Sequence, residues 1–244
     1  MAEQIITTRD LTKKFGDFVA VDNITFDVRK GEIFGFLGAN GAGKTTAMRM
    51  LTGLSRPTSG EAYVAGFDVY RQPEQIKRRI GYMSQKFSLY EDLTVKENIQ
   101  FYGGIYGLGY KQLRLKTQEL IQELGLAEVA NTLVKSLPLG WKQRLAFSIA
   151  IIHEPDIVFL DEPTGGVDPV TRRQFWETMY HSAAQGVTIF VTTHYMDEAE
   201  YCDRISMMAQ GKIAALGSPK DLKREFEARN MDDIFVKIAR GSNP

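Results

Sequence analysis

The chain has 244 residues, 43% hydrophobic and 25% charged, with 30 Lys plus Arg against 30 Asp plus Glu. That balance belongs to a folded globular protein with a sizeable core and excludes a disordered or fibrous chain. Zero formal net charge removes any global attraction to nucleic acid or an anionic membrane, and the single cysteine, Cys202, cannot form an internal disulfide. Cys202 therefore reads as a small buried side chain in a reducing compartment. The first ten residues contain no apolar stretch of signal-peptide length, and the longest nearly apolar run, residues 145–152, is far short of the roughly 20 residues a bilayer crossing needs.

Residues 5–11 and 18–28 read as two strands, separated by a turn over residues 13–17 that carries Phe15. An aromatic ring there offers a flat apolar partner for a purine. The apolar run Ile33-Phe34-Gly35-Phe36-Leu37 predicts a third strand, and Ala47-Met48-Arg49-Met50-Leu51 a helix. Between them lies Gly38-Ala39-Asn40-Gly41-Ala42-Gly43-Lys44-Thr45-Thr46, which fits the phosphate-loop pattern G-x-x-x-x-G-K-[ST]. Glycines let successive backbone N–H groups converge on one anion, and the helix start adds its unpaired N–H groups. Lys44 supplies a compact cation for β- and γ-phosphates, and the Thr45 hydroxyl is a ligand for Mg²⁺. Strand, glycine turn and helix together imply a nucleoside triphosphate site.

A loop over residues 55–60, a short strand over 61–64, a helix over 74–80 and a buried strand ending at Gln85 follow. From there to about residue 150 helical spacing dominates, with Leu113, Leu120, Leu124 and Leu126 as its apolar marks. This predicts a helical lobe inserted in an α/β core, its leading edge, residues 87–95, holding large apolar groups in a polar loop. The strand Ile157-Val158-Phe159-Leu160 is apolar on both faces yet ends in Asp161-Glu162. Two carboxylates there require a positive partner, which Mg²⁺ would supply. Asp161 then serves the metal and Glu162 is the general base for an attacking water. A helix is expected from Pro169 to about Ala184, and a further buried strand over residues 186–193 ends at His194, where open α/β sheets place their ligands. A hairpin over residues 205–216 and two short helices close the chain. His153 and His181 receive no role.

The order of phosphate loop, Gln85, acidic strand end, Asp168 loop and His194 resembles that of ATP-binding cassette (ABC) ATPases, over essentially the whole chain. In detail it resembles the cytoplasmic ATPase subunit of a bacterial exporter for drugs, lipids or polymers. The resemblance implies a P-loop α/β core with a mostly parallel sheet and an antiparallel N-terminal part (residues 1–85 and 151–244), and a helical subdomain at 86–150. It also implies ATP and Mg²⁺ as cofactors, with Phe15 stacking on adenine and Asn40 through Thr46 wrapping the phosphates. Gln85 takes the place of the glutamine that contacts Mg²⁺ or water, Asp168 that of the D-loop aspartate, and His194 that of the switch histidine. Implied partners are a second ATPase subunit, head to tail, and a membrane permease that would hold the chain on the inner face of the cell membrane. No nucleic acid is expected. The sequence departs from the family's L-S-G-G-Q signature: Leu137-Pro138-Leu139-Gly140-Trp141-Lys142-Gln143-Arg144 has a proline for the serine and a leucine for the first glycine. Proline has neither hydroxyl nor N–H, leaving the Leu139 and Gly140 amides for the phosphate. Two rival readings are a non-catalytic regulatory cassette, which the altered signature suggests, and a soluble ATPase of DNA repair or translation, which the neutral charge opposes.

Overall fold

A computed structural model describes residues 3–85 and 89–241. The expected leading edge at Phe87 and Ser88 lies outside the described residues.

Two long strands, β1 (Gln4–Phe15) and β2 (Phe18–Arg29), form a hairpin joined by β4 (Ser59–Val64) and the two-residue β5 (Phe67–Asp68) in an antiparallel sheet of order β2-β1-β4-β5. The turn expected over residues 13–17 is confined to Gly16 and Asp17: cross-strand pairing runs to Phe15 opposite Phe18, so Lys13 and Lys14 belong to the strand. A two-residue turn suffices because Gly16 adopts φ 58°.

The second sheet has six strands in the order β10-β9-β3-β8-β7-β6. Its members are β3 (Ile33–Gly38), β6 (Ile80–Met83), β7 (Ile157–Asp161), β8 (Thr188–Thr193), β9 (Arg204–Ala209) and β10 (Lys212–Gly217). All neighbours are parallel except the β9–β10 hairpin. Strands β3, β7 and β8 are buried at every position, as continuous apolar runs predict for a sheet covered on both faces. Alternation divides them cleanly. Phe34, Phe36, Phe159 and Phe190 face the antiparallel sheet and meet Phe26 in one aromatic cluster, with Phe36 and Phe190 ring centroids 5.2 Å apart. Ile33, Leu37, Val158, Leu160, Ile189 and Val191 face the helices of the opposite side.

Those helices include α5 (Leu139–Ile151), α6 (Pro169–Ala184), α7 (Pro219–Glu225) and α8 (Met231–Ala239); α1 (Lys44–Leu51) and α2 (Pro73–Arg79) lie on the other side. Residues 89–152 contain α3 (Val95–Ile105) and α4 (Tyr110–Glu123), and α3 starts with a reciprocal cap between Thr94 and Glu97. Val95, Ile99, Leu120 and Leu126 form a third apolar cluster. Helix α5 serves two clusters at once: Ala146, Phe147 and Ala150 pack into the sheet's core, while Leu145 and Ile149 pack with α3. Among the described residues no helix is long and apolar enough to cross a membrane. Cys202 is buried, and burial pushes its thiol well up, as a packing residue requires.

His153, in the turn that follows α5, fastens this helical region to β6. Its ring stacks on Tyr106 with centroids 3.8 Å apart, and its Nε2, which must carry the proton because its partner is a carbonyl, donates to Ile80 O at 3.1 Å. Burial pushes the imidazole below its ordinary value, so the folded chain holds it neutral while the unfolded chain takes up a proton below about pH 6.5. The unfolded state therefore binds more protons in that window, and stability is lost as pH falls through it. Melting temperature should drop between pH 7.5 and 5.5, and the drop should be shallower in His153→Gln, which can still donate to Ile80. Identical slopes for the two proteins would remove His153 from the account.

Candidate functional site

Parallel strands carry their C-terminal ends to a common edge, and β3, β6, β7 and β8 deliver the phosphate loop, Gln85, Asp161-Glu162 and His194 there. The loop after β3 follows a path only glycine tolerates at two points. Gly38 (φ 153°) and Gly43 (φ 103°) would each place a Cβ 2.5 Å from a backbone oxygen, of Met208 and Ala20 respectively. The Ala42 carbonyl accepts from Gly211 N at 3.1 Å, fixing the loop against the β9–β10 turn. Thr45 and Thr46 enter α1, whose first residue is Lys44.

Lys44 is 5% exposed, and its amine donates to Gly38 O at 2.8 Å and Ala39 O at 3.2 Å while lying 3.5 Å from Glu162 Oε1. The other oxygen of Glu162 accepts from Gln85 Nε2 at 3.1 Å. His194 Nδ1 is also 3.1 Å from that oxygen, out of line for a hydrogen bond. One carboxylate, 12% exposed, is thus faced by an amine, an amide and an imidazole. Asp161 stands beside it, 6% exposed, with Oδ1 3.5 Å from the Thr45 hydroxyl. Lys44, Thr45, Gln85, Asp161, Glu162 and His194 were all expected at the site, and the fold brings them together.

Thr192 was not expected. Its hydroxyl donates to Asp161 Oδ1 at 2.7 Å and accepts from Glu162 N at 3.0 Å, so it holds the Asp161 carboxylate and the Glu162 backbone together. In the sequence it is one of two threonines closing a buried strand; its parallel pairing with Asp161 is a long-range fact with no local mark.

The remaining expected residues stand apart from this cluster. Phe15 is 55% exposed at the hairpin end, under Lys13 Nζ at 4.9 Å from the ring centroid. It stands outside the core, an exposed ring with the Lys13 amine over it. Asp168 caps α6, accepting from Val170 N at 3.0 Å and Thr171 N at 3.1 Å. Bonds from the Thr171 hydroxyl and backbone hold its carboxyl below the usual range. Pro138 caps α5, and Leu139 and Gly140 form its first turn, where amides lack intrahelical partners. A Cβ on Gly140 would lie 2.6 Å from the Thr171 methyl, so α5 and α6 begin in contact. Leu139 shares with Gln85 and Gly165 a cleft of about 430 Å³.

Residues 21–165 match the ABC transporter family. The chain is 51% identical over 97% of its length to the probable multidrug ABC transporter ATP-binding protein YbhF of Escherichia coli, of which it spans 42%. It is 36% identical over 89% of its length to the linearmycin resistance ATP-binding protein LnrL of Bacillus subtilis, covering 70% of that protein. A solved ATP-binding subunit of an ABC transporter superposes with a TM-score of 0.85 at 28% identity, over 96% of this chain and 99% of that one.

Proposed function

The chain belongs to the ABC transporter family, and from that premise we propose that it binds and hydrolyses ATP to drive export through a separate membrane permease. The observation carrying this reading is the convergence of Lys44, Gln85 and His194 on the Glu162 carboxylate beside Asp161.

ATP enters with its triphosphate in the loop Gly38 to Thr46 and its adenine on the Phe15 face, while Lys44 neutralises the β- and γ-phosphates. A water hydrogen-bonded to Glu162 attacks the γ-phosphorus. The carboxylate takes its proton, the bond to the β-phosphate oxygen breaks, and ADP and phosphate leave. With Nδ1 turned toward Glu162, the other ring nitrogen of His194 is free to donate to the γ-phosphate. Gln85 orients the water through its hold on Glu162. The hard oxygens of Asp161 and Thr45 suit Mg²⁺, to which Gln85 would add its amide oxygen, and the metal when bound would offset phosphate charge.

The two chains of the working dimer lie head to tail, each offering the Leu139 and Gly140 amides at the start of α5 to the other's nucleotide, with Asp168 and its loop between them. Missing the serine hydroxyl at Pro138 slows hydrolysis without abolishing it. The permease docks on the helical region (86–150), between the core segments 1–85 and 151–244, and holds the chain at the inner face of the cell membrane. The relatives' names, one a probable multidrug transporter protein and one a linearmycin resistance protein, support export.

The test is phosphate release by the purified chain with Mg-ATP over a range of protein concentrations. Turnover per subunit should rise with concentration and level off as dimers fill. A detectable turnover independent of concentration would contradict a site shared between two chains.

A further inference from the structure

Behind the site edge lies a buried charge that the hydrolytic cluster does not touch. Glu198, in the 3₁₀ turn Met196–Tyr201 that follows His194, has no solvent exposure. Its carboxylate faces the side chains of Thr164, Thr193 and Trp176, and Arg172 Nε lies 3.6 Å from Oε1. Thr164, Trp176 and Arg172 direct their O–H and N–H groups at it without closing to full hydrogen-bond geometry. Burial pushes its carboxyl up, and these partners counter that only in part. A well-packed apolar side chain in such a place is often at least as stabilising, so stability alone does not account for an acid there.

Connectivity does. Thr164 is two residues beyond Glu162, Thr193 directly precedes His194, and Arg172 and Trp176 lie one turn apart on α6. Arg172 is enclosed by the same segment: its Cζ sits 4.1 Å over the Tyr195 ring and its Nη1 is 3.5 Å from Asp197 Oδ2. The Tyr195 ring in turn lies 4.2 Å from that of His194, and Tyr195 N donates to Thr193 Oγ1 at 3.0 Å.

We propose that Glu198, paired with Arg172, is a positioning residue for hydrolysis. One buried carboxylate joins the loop after Glu162, the strand end before His194 and the helix that begins at Asp168, and so sets the spacing of Glu162 and His194. This rests on the assignment of those two residues to the water and the γ-phosphate.

Glu198→Asp keeps the charge but withdraws it by one methylene, whereas Glu198→Gln keeps the length. The Asp variant should turn over ATP roughly tenfold more slowly at unchanged KM, and the Gln variant should stay within about threefold of wild type. In ¹H–¹³C spectra the His194 ring resonance should move in the Asp variant while those of His153 and His181 hold. Thr164→Val removes one partner without altering charge or volume, and should lower kcat several-fold at constant KM; it decides the matter should the Asp variant not fold. Wild-type kcat in the Asp variant, or an unmoved His194 resonance, overturns the proposal, as does wild-type kcat in Thr164→Val. Turnover that survives Glu162→Gln would instead defeat the assignment of the base, and the His194 resonance would then decide the role of Glu198 alone.

Discussion

Glu162→Gln should bind ATP normally and release phosphate at least ~100-fold more slowly than wild type, the range expected for losing a general base. Glutamine keeps the length but only one acceptor oxygen, so of the contacts from Lys44 to Oε1 at 3.5 Å and from Gln85 to Oε2 at 3.1 Å it can keep one. What it cannot do is take a proton from water. It also removes a negative charge from beside the triphosphate, so affinity should hold or rise while turnover collapses. Single-turnover phosphate release alongside equilibrium nucleotide binding separates the two effects. Hydrolysis at the wild-type rate would mean that another group accepts the proton.

Lys44→Met should have the opposite profile, failing at binding. Its amine is nearly buried, donates to Gly38 O and Ala39 O, and faces Glu162 across 3.5 Å. Methionine fills the same volume but leaves the two carbonyls without their donor and the Glu162 carboxylate without its cation. A triphosphate arriving there would meet acids with no lysine to offset them. The loss of one charge-assisted contact plus that repulsion predicts an affinity lower by about 30- to 1000-fold, roughly 2–4 kcal/mol. Titration with a fluorescent ATP analogue measures it, with a thermal melt to show that the variant is folded. Wild-type affinity would mean that backbone N–H groups alone hold the phosphates.

The residues whose chemistry is legible without the family resemblance share a property: each is marked by its immediate neighbours. Gly38 to Thr46 announces itself through glycine spacing, Asp161-Glu162 by placing acids on an apolar strand, and His194 by ending another. Residues that act across the fold carry no such mark. Thr192 supports Asp161 and Glu162 from the adjacent strand, and Glu198 reaches Thr164 and Arg172 through packing that only the folded chain supplies. Strand ends suffer similarly: Lys13 and Lys14 look like turn residues because pairing with β2, not composition, keeps them extended. Phe15 illustrates the converse. An aromatic is ordinarily buried, and only the hairpin's position shows that this ring faces outward.

Glu162 sits at φ 47°, in the left-handed region that a residue with a Cβ enters at a cost of roughly 1–2 kcal/mol. Backbone preference at this point favours glycine or asparagine, neither of which can accept a proton from water. Heat resistance and turnover therefore pull position 162 in opposite directions. A population of variants screened for thermal survival alone would drift away from an acid there, whereas selection for the proposed hydrolysis would keep the strained acid and seek its stability elsewhere in the chain.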